Sequence, residues 1–393
     1  MERIGIYGGT FNPPHIGHLQ GAAQAIAALG LDKLILIPDR IAPHKQMPSG
    51  SPYPQQRLEM VRIAAAFYEK MEISDLELRR EGPSYSYITV RQIRQQYPDA
   101  KLYLLMGTDM FASFLNWRNP GEIMKHVTPA VMSRGDRGEA AAIEAQRQKL
   151  GAMGCETVVI ENKVTAISST QLRRLLAFRC AGDFLPEGVL DYIRENRLYD
   201  TRANWKGLPM EELERIVISL LNPNRVAHVL GCRDTSVALA KRWGVDETDA
   251  ARAGILHDIT KALDGPLQLT LCRSYGKVLD DFSVRYPKTL HALTGSLVAE
   301  RIFGENEAVV SAIECHTTGK AAMNMLEKIL YVADYMEPNR DFPGVEKLRQ
   351  LAFSDMDAAL ELGLRMTLEH LKEQGAEVSP ASREALEYLH VNV

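Results

Sequence analysis

Hydrophobic and polar positions follow two different rhythms along this chain, and the change comes near residue 200. In the first part, short apolar runs of strand length alternate with stretches of helical period. The runs predict strands at 3–7, 33–38, 71–78, 101–106, 127–133 and 156–160. The stretches between them predict helices at about 16–29, 54–69, 84–97, 138–150 and 169–178. This alternation predicts a doubly wound, parallel α/β sheet of Rossmann-like type with helices on both faces.

After Met210 the strand patterns disappear and helical periodicity continues alone. It predicts helices at about 210–221, 224–243, 246–256, 288–302, 305–316, 325–335 and 355–373, which together indicate an all-α domain. The stretch from Asp200 to Pro209 has no period and contains several helix breakers. We therefore predict a first domain at 1–200, a linker at 201–209 and a second domain at 210–393.

Composition narrows the classes of protein without deciding the chemistry. A length of 393 residues is consistent with about two or three domains. The net charge of -4 gives no overall signal for nucleic-acid binding. The five cysteines show no paired spacing, the first residues lead directly into a strand, and no apolar run approaches about 18 residues. We expect a cytoplasmic protein that binds neither membrane nor nucleic acid, and the sequence leaves open whether it forms a homo-oligomer.

The first strand leads into the most informative stretch of the chain. Gly8, Gly9 and two prolines break the strand, and a helix begins near His15. The glycines allow backbone N–H groups to approach a ligand, and the start of a helix favours an anion. His15 and His18 are three residues apart, which places both imidazoles on one face of the first helical turn. The stretch therefore predicts a phosphate-binding turn with two histidines directed into it.

Other predicted strand ends supply further candidates, because ligands of such sheets bind at the carboxyl ends of the strands. Lys45 follows the second strand and could neutralise phosphate charge, or it is simply an exposed loop residue. Asp109 follows the fourth strand and could bind a sugar hydroxyl, or it caps a helix. Trp117 could stack on a flat heterocycle, or it packs in the core. The segment 167–173 places hydroxyls at a helix start with Arg173 one turn inside, which suits a second anion site.

The run Gly-Gly-Thr-Phe-Asn-Pro-Pro-His-Ile-Gly-His and these later segments resemble the nucleotidyltransferases with a His-x-Gly-His motif, and among them the bacterial nicotinate-nucleotide adenylyltransferases, over about residues 3–199. The resemblance implies transfer of AMP from ATP to nicotinate mononucleotide, with Mg²⁺ on the phosphates. It implies that ATP is held by Gly8, Gly9, Thr10, Phe11, His15, His18, Ile167, Ser168, Ser169, Thr170 and Arg173. Around the nicotinate nucleotide it implies Lys45, Tyr85, Ser86, Asp109 and Trp117. The catalytic residues it implies are His15, His18, Lys45 and Arg173.

Two points keep the acceptor open at this stage. The chain has Ser-Tyr-Ser-Tyr-Ile-Thr-Val at 84–90, where the family commonly has Ser-Tyr-Thr-x-Asp-Thr-Leu, and this bears on selectivity between nicotinate and nicotinamide. An enzyme of the same fold could also use phosphopantetheine or glycerol phosphate as its acceptor. Asp109, Trp117 and the 167–173 segment favour the nicotinate nucleotide.

The helical half contains an ordered set of histidines and aspartates. Its members are His228, the pair His257-Asp258, His291, His316 and Asp334. A lone histidine in a helix is usually a satisfied core residue. Several imidazoles and carboxylates on one helical background instead suit a divalent transition metal.

These residues, with the runs around them, resemble the HD phosphohydrolase superfamily and, over about 211–375, its YqeK-type symmetrical diadenosine tetraphosphatases. The resemblance implies primary metal ligands at His228, His257, Asp258 and Asp334. It implies a second metal or phosphate site at His291, His316 and Arg340, catalytic roles for His257, Asp258 and Lys261, and Fe²⁺ or Mn²⁺ as the metal. The implied substrates are diadenosine polyphosphates, cleaved in the middle of the tetraphosphate to two ADP.

Three alternatives to that activity require other sequence features. Guanosine tetraphosphate hydrolases continue their motif as Asp-x-x-Glu-Asp, whereas Asp258 is followed by Ile-Thr-Lys. Cyclic-di-GMP phosphodiesterases add a His-His-Glu and Gly-Tyr-Pro segment that this chain lacks. The third alternative is a regulatory domain that binds a nucleotide without turnover, and a full set of metal ligands counts against it.

Overall fold

The computed structural model describes residues 1–44, 46–133 and 137–392. They divide into two compact units, Met1–Arg202 and Ala203–Val393. Residues 203–209, expected in a linker, belong to the second unit, where the Trp205 ring stacks on Phe303 with 5.6 Å between ring centroids.

The first unit is built on a six-stranded parallel sheet, as predicted. Its strands in chain order are β1 (Arg3–Gly9), β2 (Lys33–Pro38), β3 (Met71–Ile73), β4 (Lys101–Gly107), β5 (Thr128–Ser133) and β6 (Val158–Glu161). The strand order is β3-β2-β1-β4-β5-β6, and every neighbouring pair is parallel. Most strand residues are buried, because helices cover both faces.

The strand order places the candidate chemistry. β1 lies between β2 and β4. The chain first adds β2 and β3 on one side of β1 and then adds β4, β5 and β6 on its other side, so the order of the strands reverses between β1 and β4. In sheets of this kind, ligands bind in the crevice beyond the carboxyl ends of the strands at such a reversal. The turn after β1 and the residues from Gly107, the last of β4, to Asp109 therefore lie at this same end of the sheet.

The helices of the first unit are α1 (Ile16–Leu29), α2 (Pro54–Ala65), α3 (Ser86–Gln96), α4 (Thr108–Ala112), α5 (Pro120–Met124), α6 (Arg137–Ala152), α7 (Ser169–Ala177) and α8 (Val189–Glu195), with 3₁₀ turns at Phe114–Asn116, Gly182–Phe184 and Leu198–Asp200. The predicted strand 71–78 is wrong in length, since β3 ends at Ile73. Beyond it the chain turns, with Leu78 N–H and Arg79 N–H both donating to the carbonyl of Asp75. The short helices α4, α5 and α8 were not predicted, because one or two turns carry little periodicity.

The second unit is helical, as predicted. Its helices are α9 (Met210–Leu220), α10 (Val226–Trp243), α11 (Glu247–Leu256), α12 (Gly265–Ser274), α13 (Asp281–Arg285), α14 (His291–Val298), α15 (Glu307–Cys315), α16 (Met325–Met336), α17 (Val345–Ser354), α18 (Met356–Glu373) and α19 (Pro380–Asn392), with 3₁₀ turns at Pro223–Arg225 and Pro287–Leu290 and a π turn at Ala299–Phe303. The sequence missed α12, α13, α17 and α19. Of these, α12 begins at a Gly-Pro pair that is typical of a break. Proline is tolerated in a first turn, and the Asp264 side chain caps this one by accepting from Leu267 N–H.

Helices α10, α11, α14, α15 and α16 pack against one another and form the centre of the second unit. Among the described helices, none is long and apolar enough to span a membrane.

Candidate active sites

The turn after β1 is held by two histidines that cap one helix together. His15 is the N-cap of α1, and its Nδ1 accepts from the backbone N–H of His18 at 3.3 Å. The Nδ1 of His18 accepts from the backbone N–H of His15 at 3.2 Å, and the two rings stack with centroids 3.6 Å apart. Because each Nδ1 accepts, the proton of each neutral imidazole is on Nε2. The pair therefore presents two Nε2–H donors, which suits an anionic ligand.

Gly17 between the histidines is required by a close backbone approach. A Cβ at this position would lie 2.9 Å from the carbonyl oxygen of Thr165 and 3.1 Å from His15 Nδ1. Any larger residue would push apart the start of α1 and the segment that precedes α7. This explains the glycine in the His-x-Gly-His motif sterically.

A cleft of about 420 Å³ lies over this turn and brings several predicted ATP residues together. Its lining includes His15, His18 and the segment Ile167–Thr170, together with Asp109, which was predicted to bind the nicotinate nucleotide. Ser168 is the N-cap of α7 and accepts from Gln171 N–H at 3.2 Å. Two helix starts, those of α1 and α7, therefore line one cleft, and both favour negative charge there.

Four other predicted ATP residues lie at or beneath this turn and are not among the residues that line the cleft. Gly8 and Gly9 end β1, and the Thr10 hydroxyl donates to Asp39 Oδ2 at 2.8 Å. The Phe11 ring is buried and meets the ring of His18 edge-on, with 5.2 Å between centroids. These four residues therefore belong to the turn itself and not to the lining of the cleft.

Arg173 connects the two halves of the cleft. Its Nη1 donates to the carbonyl of Asn12 at 2.8 Å, and its Nη2 donates to the Thr170 hydroxyl at 3.1 Å. Burial lowers the pKa of Arg173, although the group stays charged at neutral pH. The Tyr199 hydroxyl donates to Asn12 Oδ1 at 2.7 Å. Tyr199, near the end of the first unit, thus holds Asn12 and the turn after β1 in place.

The residues predicted around the nicotinate nucleotide are less closely gathered. Tyr85 and Ser86 begin α3, and the Arg118 guanidinium lies 4.7 Å from the centre of the Tyr85 ring. Ser84 joins this segment to the loop after β2, since Arg40 N–H donates to its hydroxyl at 3.0 Å. That loop lines a second, open cavity of about 640 Å³, formed by 40–44, 46 and 47. Lys45 lies outside the described residues.

Trp117 has the surroundings of a partly buried core residue. Its ring meets Phe114 edge-on at 5.3 Å and packs against the hydrophobic core of the sheet. Its indole Nε1 is buried and has no hydrogen-bond partner among the described residues. The structure therefore places Trp117 beside the core, apart from the residues that line the cleft.

In the second unit, four histidines point the same nitrogen at one centre. The Nδ1 atoms of His257, His291 and His316 lie 2.7–2.9 Å from backbone carbonyls, and that of His228 lies 3.1 Å from Glu337 Oε1. Each Nδ1 therefore carries the proton, and each Nε2 offers a lone pair. This is the tautomer that metal-ligating histidines need.

The Nε2 atoms converge on two carboxylates. His228 Nε2 lies 3.1 Å from Asp334 Oδ1 and 3.3 Å from His257 Nε2, and His257 Nε2 lies 3.6 Å from Asp258 Oδ2. Two triplets, His228–His257–Asp334 and His257–Asp258–His316, each bring their ligand atoms within 4.8 Å of one another. Lone pairs that face each other at 3.3 Å repel unless a cation lies between them.

A buried carboxylate oxygen of Asp258 also indicates that a cation fits among these side chains. Asp258 Oδ1 is buried and has no hydrogen-bond partner among the described residues. It lies 3.5 Å from His291 Nε2 and 3.9 Å from His316 Nε2. An ionised, unsatisfied carboxylate oxygen is costly in a protein interior, so the residues present fit a divalent cation.

The ionisation states also suit a metal. Burial lowers the pKa of His291 to about 3 and that of His316 to about 4, so both rings are neutral at neutral pH. Burial opposes ionisation of Asp258, but His257 and Lys261 beside it outweigh this and lower the pKa of its carboxyl. Neutral imidazoles and ionised carboxylates are the forms that bind metal.

Two predicted site residues with positive charge, Lys261 and Arg340, contact the cluster directly. Lys261 Nζ donates to His291 Nε2 at 2.8 Å, and Arg340 Nη2 donates to Asp334 Oδ1 at 2.9 Å. The Thr317 hydroxyl lies 3.1 Å from the same nitrogen of His291. In this structure, His291 therefore belongs to a hydrogen-bonded layer beside the predicted primary ligands.

Comparison with known proteins matches the two parts of the chain to two different families. A family model described as cytidylyltransferase-like matches residues 6–175, and a model of the HD domain matches residues 225–339. A protein of Bacillus licheniformis named "Probable nicotinate-nucleotide adenylyltransferase" is 35% identical over 202 residues, which are 51% of this chain and 100% of that protein. One of the same name from Gloeobacter violaceus is 38% identical over 208 residues, covering 51% and 98%. The chain belongs to the nicotinate-nucleotide adenylyltransferase family.

The second unit has a solved relative of its own. A Clostridium acetobutylicum protein titled "predicted HD superfamily hydrolase involved in NAD metabolism" is 35% identical, with a TM-score of 0.46; the match covers 47% of this chain and 99% of that one. The match to the HD-domain model at 225–339 shows an HD domain on the same chain as the adenylyltransferase-like unit.

Sequence reasoning missed several residues that build the two sites. Arg225, Thr317 and Glu337 lie inside the runs that carried the HD resemblance, yet nothing in their spacing gave them a role. Arg225 Nε donates to Asp258 Oδ2 at 2.6 Å. In the adenylyltransferase unit, Asp39 follows β2 directly, and a carboxylate at a strand end was an available signal. Its partner Arg57 gave none, because only the fold brings α2 beneath the turn.

Proposed function

We propose that the first unit transfers AMP from ATP to the 5′-phosphate of nicotinate mononucleotide, forming nicotinate adenine dinucleotide and pyrophosphate. The observation that carries this proposal is the single cleft lined by the starts of both α1 and α7. The acceptor phosphate is itself the nucleophile, so a covalent enzyme intermediate is unnecessary. The chain then contributes alignment and stabilisation of charge.

We assign the residues to these tasks as follows. The Nε2–H groups of His15 and His18 donate to the phosphates of ATP, and these bonds strengthen as charge develops on the leaving pyrophosphate. Arg173 keeps the two cleft edges together, and Lys45 adds positive charge. Among the described residues, both clusters of metal-ligating side chains lie in the second unit. Mg²⁺ accordingly arrives with ATP, ligated mainly by phosphates and water.

Tyr85, Ser86, Asp109 and Trp117 are proposed to surround the nicotinate nucleotide. Steady-state rates with nicotinate and nicotinamide mononucleotide test this assignment. We expect a clear preference for the nicotinate form. Equal rates would contradict the assignment, as would turnover only with phosphopantetheine or glycerol phosphate as the acceptor.

We further propose that the second unit hydrolyses diadenosine tetraphosphate to two ADP. His228, His257, Asp258 and Asp334 would hold Fe²⁺ or Mn²⁺, with His291 and His316 beside them. Such a metal, when bound, supplies a Lewis acid that polarises a phosphoryl oxygen and raises the acidity of water. Lys261 and Arg340 bring positive charge to the same place and would bind the substrate phosphates. Water adds across the central P–O–P bond, and each half leaves as ADP.

The activity of the second unit is tested by product analysis on the full chain. Protein supplied with Fe²⁺ or Mn²⁺ should convert diadenosine tetraphosphate to ADP alone. A chelator and His257→Ala should each abolish this, whereas His370→Ala, which changes an exposed histidine of the same unit, should not. ATP plus AMP would contradict the cleavage position. Tight nucleotide binding without turnover would instead identify a regulatory domain.

A further inference from the structure

The cleft of the first unit contains a buried amide that has no role in the proposed reaction. Asn162 follows β6, lines the cleft and is 6% exposed. Its Oδ1 atom is buried and has no hydrogen-bond partner among the described residues. Its backbone N–H donates to the carbonyl of Ser133 at 2.7 Å, which fixes the residue beside the end of β5. A carbonyl oxygen held this way lacks a donor that a ligand could supply.

The surroundings of Asn162 indicate what kind of ligand group it meets. Glu139 also lines the cleft, and the Ser133 hydroxyl donates to its Oε2 at 3.4 Å. Ser133 therefore contacts the backbone of Asn162 through its carbonyl and the side chain of Glu139 through its hydroxyl. Asn162 Oδ1, the acceptor without a donor among the described residues, attracts an N–H group and repels a carbonyl oxygen.

Apolar groups line the same end of the cleft. Met132 and Val164 lie there, and α1 passes close by at Gly21, where a Cβ would be 3.3 Å from Asn162 Nδ2 and 3.5 Å from Met132 Sδ. A thioether and a branched side chain around one amide suit a flat heterocycle with a polar edge. The groups that would donate hydrogen bonds to phosphates lie at the histidines and at the start of α7. The base of a bound nucleotide would therefore lie at this apolar end of the cleft.

We infer that Asn162 selects the base of the nucleotide donor, with Oδ1 accepting a hydrogen bond from the amino group at position 6 of adenine. An asparagine amide matches adenine because it can accept from the amino group and donate to an adjacent ring nitrogen. Hypoxanthine and guanine have an oxygen at position 6, which would face Oδ1 without a proton between them. This inference rests on the proposed function, since it takes ATP as the donor.

The test compares ATP with inosine triphosphate, which differs at position 6 of the base. Equilibrium binding is measured without acceptor, and kcat/KM is measured with nicotinate mononucleotide. We expect the full chain to prefer ATP by about tenfold or more, which is the value of one hydrogen bond to a buried acceptor. In Asn162→Leu the preference should fall to near unity, and in Asn162→Asp, which keeps the acceptor oxygen, it should persist.

A matched control separates base selection from stability. Gln146 on α6 is 5% exposed and also has a buried amide nitrogen without a partner among the described residues, yet it does not line the cleft. Gln146→Leu should leave the preference unchanged. The inference is overturned if the wild type binds both nucleotides equally, if Asn162→Leu weakens both by the same factor, or if Asn162→Asp loses the preference. Failure of AMP transfer would remove the proposed function, while the binding ratios would still test Asn162.

Discussion

Arg57 and Asp39 form an almost fully buried ion pair beneath the turn after β1, with 3.0 Å between Nη1 and Oδ1. The guanidinium also donates to the carbonyl of Thr10 at 2.6 Å and to that of Asp39 at 2.8 Å. The Thr10 hydroxyl donates to the other carboxylate oxygen of Asp39. One pair thus joins α2, the end of β2 and the turn after β1.

We expect Arg57→Met to destabilise the first unit by about 3–5 kcal/mol, because it leaves the Asp39 carboxylate buried without its charge partner. Urea unfolding followed by hydrogen exchange in peptides from β1 and β4 reports on this unit alone. The control is Arg62→Met on the same helix, whose ion pair with Glu59 is exposed and should contribute at most about 1 kcal/mol. Equal effects of the two substitutions would show that the buried pair has no special role.

The features of the first unit that depend on local sequence were predictable, and those that depend on distant contacts were not. The strand pattern and the His-x-Gly-His run are local signals, so the parallel sheet and the place of the turn followed from them. Asp39 and Arg57 are 18 residues apart and meet only in the fold, so no local pattern could pair them. The same holds for Tyr199 and Asn12, which are separated by 187 residues.

In the second unit, the ligand types were readable because imidazoles and carboxylates are rare on buried helix faces. The family resemblance, and not the spacing of the residues, separated His228, His257, Asp258 and Asp334 from the residues beside them. That distinction depends on the Lys261 amine lying 2.8 Å from His291 Nε2, a side-chain position that spacing does not determine.

Glu337 provides a test of the metal site that does not depend on turnover. It is buried, lies 3.1 Å from His228 Nδ1, and accepts from the N–H of Asn339 at 2.7 Å. Glu337→Gln keeps the size but weakens the hold on the imidazole. We expect the dissociation constant for Mn²⁺, measured by titration calorimetry, to rise by about 10–100-fold.

The control for that measurement is Glu346→Gln, whose side chain on α17 is 75% exposed. It should bind Mn²⁺ as the wild type does. An unchanged dissociation constant in Glu337→Gln would mean that His228 is not oriented by this carboxylate.

The five cysteines should differ sharply in reactivity. All are free thiols, and Cys180, Cys232, Cys272 and Cys315 are buried. Burial raises the pKa of Cys272 to about 11 and those of Cys180 and Cys315 to about 12. Since the thiolate is the nucleophile, iodoacetamide at pH 8 should modify Cys155 first in the native protein and all five in urea. Mass spectrometry of the peptides measures this; rapid native modification of Cys272 or Cys315 would contradict the described packing.

Glu77 should give the first unit a defined pH dependence. Its carboxyl is 6% exposed and accepts from the Thr89 hydroxyl at 2.5 Å, and burial raises its pKa above the ordinary value of 4.5 despite that bond. A carboxyl with a raised pKa in the folded state stabilises most below about pH 4.5, and this contribution is lost as the pH rises through the folded value. Glu77→Gln removes the titration, so the stability of the variant relative to the wild type should increase between pH 4.5 and 7, measured by the same exchange-detected urea unfolding. Glu81→Gln, at an exposed position nearby, is the matched control. A relative stability that falls with rising pH would mean that the folded state favours the ionised form of Glu77.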